Sequence, residues 1–211
     1  RAYEENRIVG FRNLDIWFPV STNIESEEEL KTFEGIAKEI VNKVDRVARR
    51  LIQGSITLAK MRISRESTED LLYSILDIGI PSFIIKAIRY LGEKGLYRHL
   101  AWVARSISKM NISIKEFGGI LYAIGVMLAD MRDFVEFKHY LDVLREVTHL
   151  QPEVRASILI ELAAYIMDIN EELACRMLEE AHRGFEESGM PWMSLNALAL
   201  LAAHREIVDI R

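Results

Sequence analysis

The chain has 211 residues, half of them hydrophobic and 28% charged, which is typical of a globular protein with a substantial core and not of a disordered one. The net charge is −5: residues 1–105 carry 17 basic and 15 acidic side chains, and residues 106–211 carry 10 and 17. The acidic second half makes nucleic acid an unlikely partner on charge grounds, because phosphate binding needs a basic face. The sequence has a single cysteine and no run of about 18 apolar residues. We therefore expect no membrane span and a cytoplasmic location.

The first predicted element is an extended arm over residues 1–25. Every second residue from Leu14 to Val20 is apolar, and a period of two is typical of a strand. Pro19 and the isolation of this run argue against a central strand. We therefore expect the arm to pack on the first helices.

After residue 25 the sequence carries helix start and stop signals. Ser26 with Glu29, and Ser113 with Glu116, match the capping box, in which each side chain satisfies a free backbone N–H of the first turn. Prolines stand where a first helical position is expected, and glycines where a left-handed residue ends a helix: Pro81, Pro152 and Pro191, and Gly79, Gly95 and Gly189.

These signals divide residues 26–211 into about ten helices of a single helical-repeat domain. The predicted spans are 27–44, 46–62, 66–78, 81–94, 96–110, 114–130, 134–149, 152–168, 171–188 and 191–206. The linkers are short, so neighbouring helices are expected to form antiparallel hairpins.

The helices repeat with a period of 37 to 39 residues, because predicted starts fall at 114, 152 and 191 and, between them, at 96, 134 and 171. One helix of each hairpin is apolar almost all round, as in SILIELAAYIM, and the other has a charged face. An apolar helix is expected to lie between neighbours and a one-sided helix outside. The sequence therefore predicts an all-α fold, an α-solenoid of stacked helix hairpins with an inner and an outer layer.

Residues 158–189 resemble a tetratricopeptide (TPR) repeat. In that motif a large aromatic residue late in the first helix precedes a small residue, a large apolar residue and an alanine in the second, here Tyr165, Ala174, Leu178 and Ala181. The run LEEAHRGFEESG followed by LNALALLA looks like the arrays of large regulatory proteins. Glu161 stands where the family has leucine, Leu162 stands where it has a small residue, and the period exceeds the usual ~34, so HEAT-type hairpins remain an alternative.

The resemblance implies a right-handed superhelix whose first helices line a concave groove that binds a peptide or protein surface and performs no chemistry. Residues expected at this groove are Tyr90, Tyr122, Glu161, Tyr165 and Asp168. Glu161 and Asp168 share one helix stripe with Ser157 and Ala164, which predicts either an acidic edge of the groove or a plain solvent-facing stripe. Gly118, Gly119 and Gly125, inside one predicted helix, indicate close packing against a neighbouring helix or the wall of a small pocket.

A second candidate surface combines Arg98 and Trp102, at helical spacing with Arg105 and Lys109, because tryptophan and arginine are enriched in interface hot spots. The alternative is that Trp102 packs between helices and the cations are solvated. No catalytic residue, metal site or cofactor is predicted.

Two other classes of function remain open. A metal-dependent helical-bundle enzyme could use Glu161, Glu179 and His182, since Glu-x-x-His pairs hold metals in ferritin-like bundles, and a second such pair is Glu146 with His149. Heights along the helices disfavour one site that contains both Glu146 and Glu161. A closed bundle could instead hold a small apolar ligand.

The chain ends IVDIR, without the polar capping helix that the end of a solenoid requires. We therefore expect the C-terminal helix to pack on another subunit, which predicts a homo-oligomer, or on residues beyond this sequence.

Overall fold

The computed structural model describes residues 14–63, 68–96 and 98–209, with the backbone alone for residues 14–18 and 204–209. Over these ranges the chain is all-helical, with no strand. The helices are α1 (Leu14–Asn23), α2 (Glu27–Val41), α3 (Arg46–Ile63), α4 (Thr68–Ile78), α5 (Pro81–Glu93), α6 (Arg98–Ile107), α7 (Ile114–Asp130), α8 (Phe134–Val147), α9 (Pro152–Ile166), α10 (Glu171–Glu187) and α11 (Pro191–Asp209).

The all-α prediction is confirmed, and the ten helices predicted after residue 25 are all found. The capping boxes at Ser26 and Ser113 form as expected, each with its glutamate three residues on. The glycines predicted to end helices, Gly79, Gly95 and Gly189, have φ of 65°, 70° and 67°, the left-handed conformation that suits glycine. None of the described helices combines the length and apolar character needed to cross a bilayer.

Residues 14–23 form helix α1 rather than the extended arm that the period of two predicted; residues 1–13 lie outside the described ranges. Ser21 and Ile24 are buried whereas Val20 is 43% exposed, a spacing of three that fits a helix and not a strand. The reason is tertiary: α1 packs along α3, and this burial outweighs the backbone hydrogen bond that Pro19 cannot donate.

Contacts within the chain divide it into two compact units, Arg1–Lys94 and Gly95–Arg211, and the single helical-repeat domain over residues 26–211 stays a prediction. In the first unit α3 is central, because it packs against α1, α2, α4 and α5. Gly54 makes the α3–α5 approach possible: a Cβ atom there would lie 2.0 Å from the ring of Phe83, which is fully buried.

The second unit contains the predicted repeat. The apolar helices α7, α9 and α11 begin at Ile114, Pro152 and Pro191, so their spacing is 38 and 39 residues, and each is preceded in the chain by one of the charged helices α6, α8 and α10. Helix α7 packs against α6, α8 and α9, and α10 packs against α9 and α11. Each helix thus packs on helices close to it in sequence, which is the pattern of a repeat-like fold.

Candidate interaction surface on α7 and α9

Helices α7 and α9 pack together at a small residue of α7. A Cβ atom added at Gly125 would lie 2.5 Å from Cδ1 of Leu162 on α9, far inside van der Waals contact. At Gly118 it would lie 3.7 Å from Cγ1 of Val154, an ordinary contact, and at Gly119 it would meet nothing within 4 Å. The predicted close packing therefore holds at Gly125 and not at Gly119. The Leu162 side chain thus occupies the space that the missing side chain of Gly125 leaves on the neighbouring helix.

The predicted stripe of α9 lies on the solvent side of the helix. Glu161 and Ala164 are exposed, Ser157 is half-buried, and Asp168, just after the end of α9, is exposed. Tyr165 is 41% exposed although it is a large aromatic residue. This packing leaves the carboxylates of Glu161 and Asp168 and the phenol of Tyr165 accessible along about two turns of chain.

The Tyr165 hydroxyl donates a hydrogen bond to the carboxylate of Asp130, the last residue of α7. This bond, followed by partial burial and the charge of Asp130, raises the pKa of Tyr165, and nearby Tyr122 adds a smaller contribution. Tyr122 is half-buried on α7. The fold therefore brings together Tyr122, Asp130, Glu161, Tyr165 and Asp168, which we call the α7–α9 face.

The α7–α9 face carries three carboxylates beside two phenol rings. Carboxylates accept charge-assisted hydrogen bonds from lysine and arginine, and aromatic rings attract cations through their faces. The arrangement is suited to holding a basic side chain that is flanked by apolar ones. Sequence reasoning predicted four of the five residues and omitted Asp130, although Asp130 precedes Asp168 by one repeat of 38 residues.

Tyr90, predicted at the groove, lies in α5 of the first unit and is only 4% exposed. The ammonium of Lys86 lies 5.1 Å from the centroid of its ring. Burial raises the pKa of Tyr90, against the opposing charge of Arg62. Its ring therefore belongs to the core of that unit, which differs from the surface position that was predicted.

The second predicted surface lies on α6 and is partly used for packing. Arg98 is exposed and Trp102 is half-buried. Nε of Arg105 donates to Oε2 of Glu146 on α8 at 3.0 Å, so this cation holds two helices together. Lys109 is exposed beyond the end of α6. Arg98 and Lys109 are thus the exposed members of this stripe.

A further ion pair, which the sequence did not reveal, connects α8 to α10. Nη2 of Arg145 lies 2.6 Å from Oε2 of Glu180, and Nε of Arg155 on α9 lies 3.7 Å from Oε1. Burial alone would raise the pKa of Glu180, but the hydrogen bond from Arg145 and the charges of the neighbouring arginines lower it overall. Opposite charges on successive helices were visible in the sequence, yet only the packing shows which ones meet.

The residues of the metal-site alternative make other contacts. Nδ1 of His149 lies 3.0 Å from the backbone oxygen of Glu146. His182 on α10 is hydrogen-bonded through Nδ1 to the hydroxyl of Ser194 on α11, and its Nε2 lies 3.6 Å from Glu186. Within residues 19–63, 68–96 and 98–203, whose side chains the structure describes, no three histidine, cysteine or acidic side chains are grouped to hold a metal ion.

Comparisons with known proteins add no information about the α7–α9 face. No protein-family model matches the chain, and neither the search of curated proteins nor the search of solved structures found a match.

Proposed function

We propose that the chain is a non-enzymatic protein-interaction module, a TPR-like α-solenoid in the cytoplasm that binds a peptide or protein surface without a cofactor. The observation that supports this best is the α7–α9 face. It lies on two neighbouring apolar helices of the repeat, at positions where the TPR resemblance places a binding groove.

The chemistry of the face defines the partner we expect. Glu161 and Asp168 are exposed carboxylates, and Tyr165 is held in place by its hydrogen bond to Asp130. A fixed aromatic side chain makes contacts at low entropic cost, because few rotamers are lost on binding. We therefore propose a peptide in which lysine or arginine alternates with apolar residues, the cations meeting the carboxylates and the apolar side chains covering the rings.

An array of peptides with basic and apolar residues, probed with the purified full chain, tests this proposal. Selected peptides should bind Glu161→Lys at least about tenfold more weakly, since a favourable charge contact becomes a repulsive one. Tyr165→Ala and Tyr122→Ala should each weaken binding as well. Glu187→Lys on α10 makes the same charge change at another exposed position and should leave binding unchanged. Unchanged binding by all three variants of the face would refute its assignment.

A second candidate function, binding of a small apolar ligand, is supported by a hollow between α1 and α2 with a volume of about 700 Å³. Its lining includes Val20, Ile24, Phe33 and Ile36. Native mass spectrometry of protein purified under mild conditions would test it. A bound apolar molecule that is lost in Ile36→Glu would support this candidate, and bare protein throughout would count against it.

A further inference from the structure

From Pro191 to Ala203, helix α11 is apolar except for Ser194 and Asn196, and its buried residues lie on one narrow side. Among its described side chains, Ser194, Ala197 and Leu201 are buried, and α10 is the helix on which it packs. Trp192 is 80% exposed and Leu195 is 53% exposed. Helices α7 and α9 each bury a broader set of residues, because they have neighbours on more than one side.

Five of the exposed residues of α11 form a continuous stripe. At 100° per residue, Trp192, Leu195, Leu198, Ala199 and Ala202 fall within about one third of the helix circumference, and Leu195 and Leu198 also line a hollow with His182 and Glu186 of α10. We call these five residues the α11 stripe. The sequence from Met190 to Ala203 contains no charged residue, so no repulsion opposes burial of the stripe against a like surface. A contiguous exposed apolar surface of this kind marks an interaction site.

The side chains of the α11 stripe change in size along the helix. Toward its first end the stripe carries the large side chains Trp192 and Leu195, toward its second end it carries the small ones Ala199 and Ala202, and Leu198 lies near the middle. If two such helices pair antiparallel about a twofold axis level with residue 197, Trp192 of each copy lies level with Ala202 of the other, and Leu195 with Ala199. Large side chains then fill the space above small ones, as close packing requires. A parallel pair would place tryptophan on tryptophan and leave the alanines without contact.

We propose that the α11 stripe is the interface of a symmetric homodimer in which the two α11 helices pair antiparallel. Residues 191–203 span roughly 20 Å, and a pair of helices of this length buries on the order of 1000 Å² in total, at the small end of specific interfaces. Interfaces at this end of the range are typical of transient complexes, so we expect the dimer to be reversible. This interface is separate from the α7–α9 face, so either can fail without the other.

Sedimentation of the full chain over a range of concentrations tests the dimer. The wild type should pass from monomer to dimer across the micromolar range, and Leu195→Glu should remain monomeric. Val135→Glu is the matched control, because Val135 is an equally apolar residue, 80% exposed, on α8. It should dimerise like the wild type. Circular dichroism of each variant verifies that the helical content is kept.

An exchange of the large and small residues tests the antiparallel register. Trp192→Ala and Ala202→Trp should each weaken the dimer about tenfold or more, the second although it adds apolar surface. The double variant carrying both changes should recover dimerisation, since tryptophan again meets alanine with the two positions exchanged. A wild type that stays monomeric at all concentrations would overturn the proposal and assign the stripe to a different partner. A double variant no stronger than the single ones would overturn the antiparallel pairing.

Discussion

Replacing Gly125 by alanine should destabilise the chain, although alanine is the better helix former. Gly125 lies in the middle of α7, where glycine costs up to about 1 kcal/mol relative to alanine through backbone entropy. If helix propensity alone mattered, the substitution would stabilise the protein. The structure predicts destabilisation instead, because the new methyl group would lie 2.5 Å from Cδ1 and 2.8 Å from Cδ2 of Leu162.

The size of the destabilisation by Gly125→Ala depends on how far the Leu162 side chain can move. Carbon atoms pack best at about 3.5–4.0 Å, so the Leu162 side chain must move by roughly 1 Å. Leu162 is fully buried, and overpacking a filled core costs about 1–3 kcal/mol. Against the gain in helix propensity, we expect a net loss of about 0.5–2 kcal/mol. Gly119→Ala, on the same helix with nothing within 4 Å, should instead stabilise the protein by about 0.5–1 kcal/mol.

Urea denaturation followed by far-ultraviolet circular dichroism measures both variants against the wild type. The double variant Gly125→Ala, Leu162→Ala isolates the contact, since removal of the leucine side chain removes the clash. Its loss of stability should be smaller than the sum of the losses of the two single variants. If Gly125→Ala proved as stable as Gly119→Ala, the close approach of α7 and α9 would be refuted, and with it the position of the α7–α9 face.

Three further predictions concern other parts of the fold. Gly54→Ala should lower the stability of the fold by more than about 2 kcal/mol, because the new methyl group would overlap the buried ring of Phe83. Thermal denaturation should show this loss as a lower Tm. Glu180→Gln should cost about 1–3 kcal/mol at neutral pH, whereas Glu187→Gln at an exposed site of the same helix should cost little. Because the folded-state pKa of Glu180 is lowered, the stability that its carboxylate contributes is present above about pH 4.3 and is lost as the pH falls through the folded-state pKa. The stability of the wild type and that of Glu180→Gln, plotted against pH, should therefore converge in acid. Tyr140→Phe should cost about 1 kcal/mol by urea denaturation, because the buried hydroxyl donates to a backbone oxygen of α7.

Local signals predicted the helices well. Capping serines, proline at the first helical position and glycine at the end each satisfy or relieve backbone groups within one turn, so their effect can be read from neighbouring residues. The period of about 38 residues identified the hairpins in the same way. The run from Leu14 was misread because a short apolar alternation fits both a strand and a helix, and packing on α3 decided between them.

The candidate site was predicted in part. Glu161 and Asp168 stood out as polar residues at helical spacing in an apolar helix, and they are exposed as a stripe predicts. Tyr90 looked equivalent to the other tyrosines, yet it is buried among helices of the first unit. Asp130 became part of the face only through its hydrogen bond to Tyr165, across 35 residues of sequence.

The sequence by itself determined the helical class, the helix ends and the repeat length, because those depend on backbone capping and on apolar periodicity within a few turns. Only the tertiary structure decided which faces meet. Leu162 packs against Gly125, and Arg145 forms an ion pair with Glu180. Helix α11 has an exposed apolar side with no neighbour among the described residues. These outcomes depend on distances between helices far apart in the chain, where a single methyl group determines whether two surfaces fit.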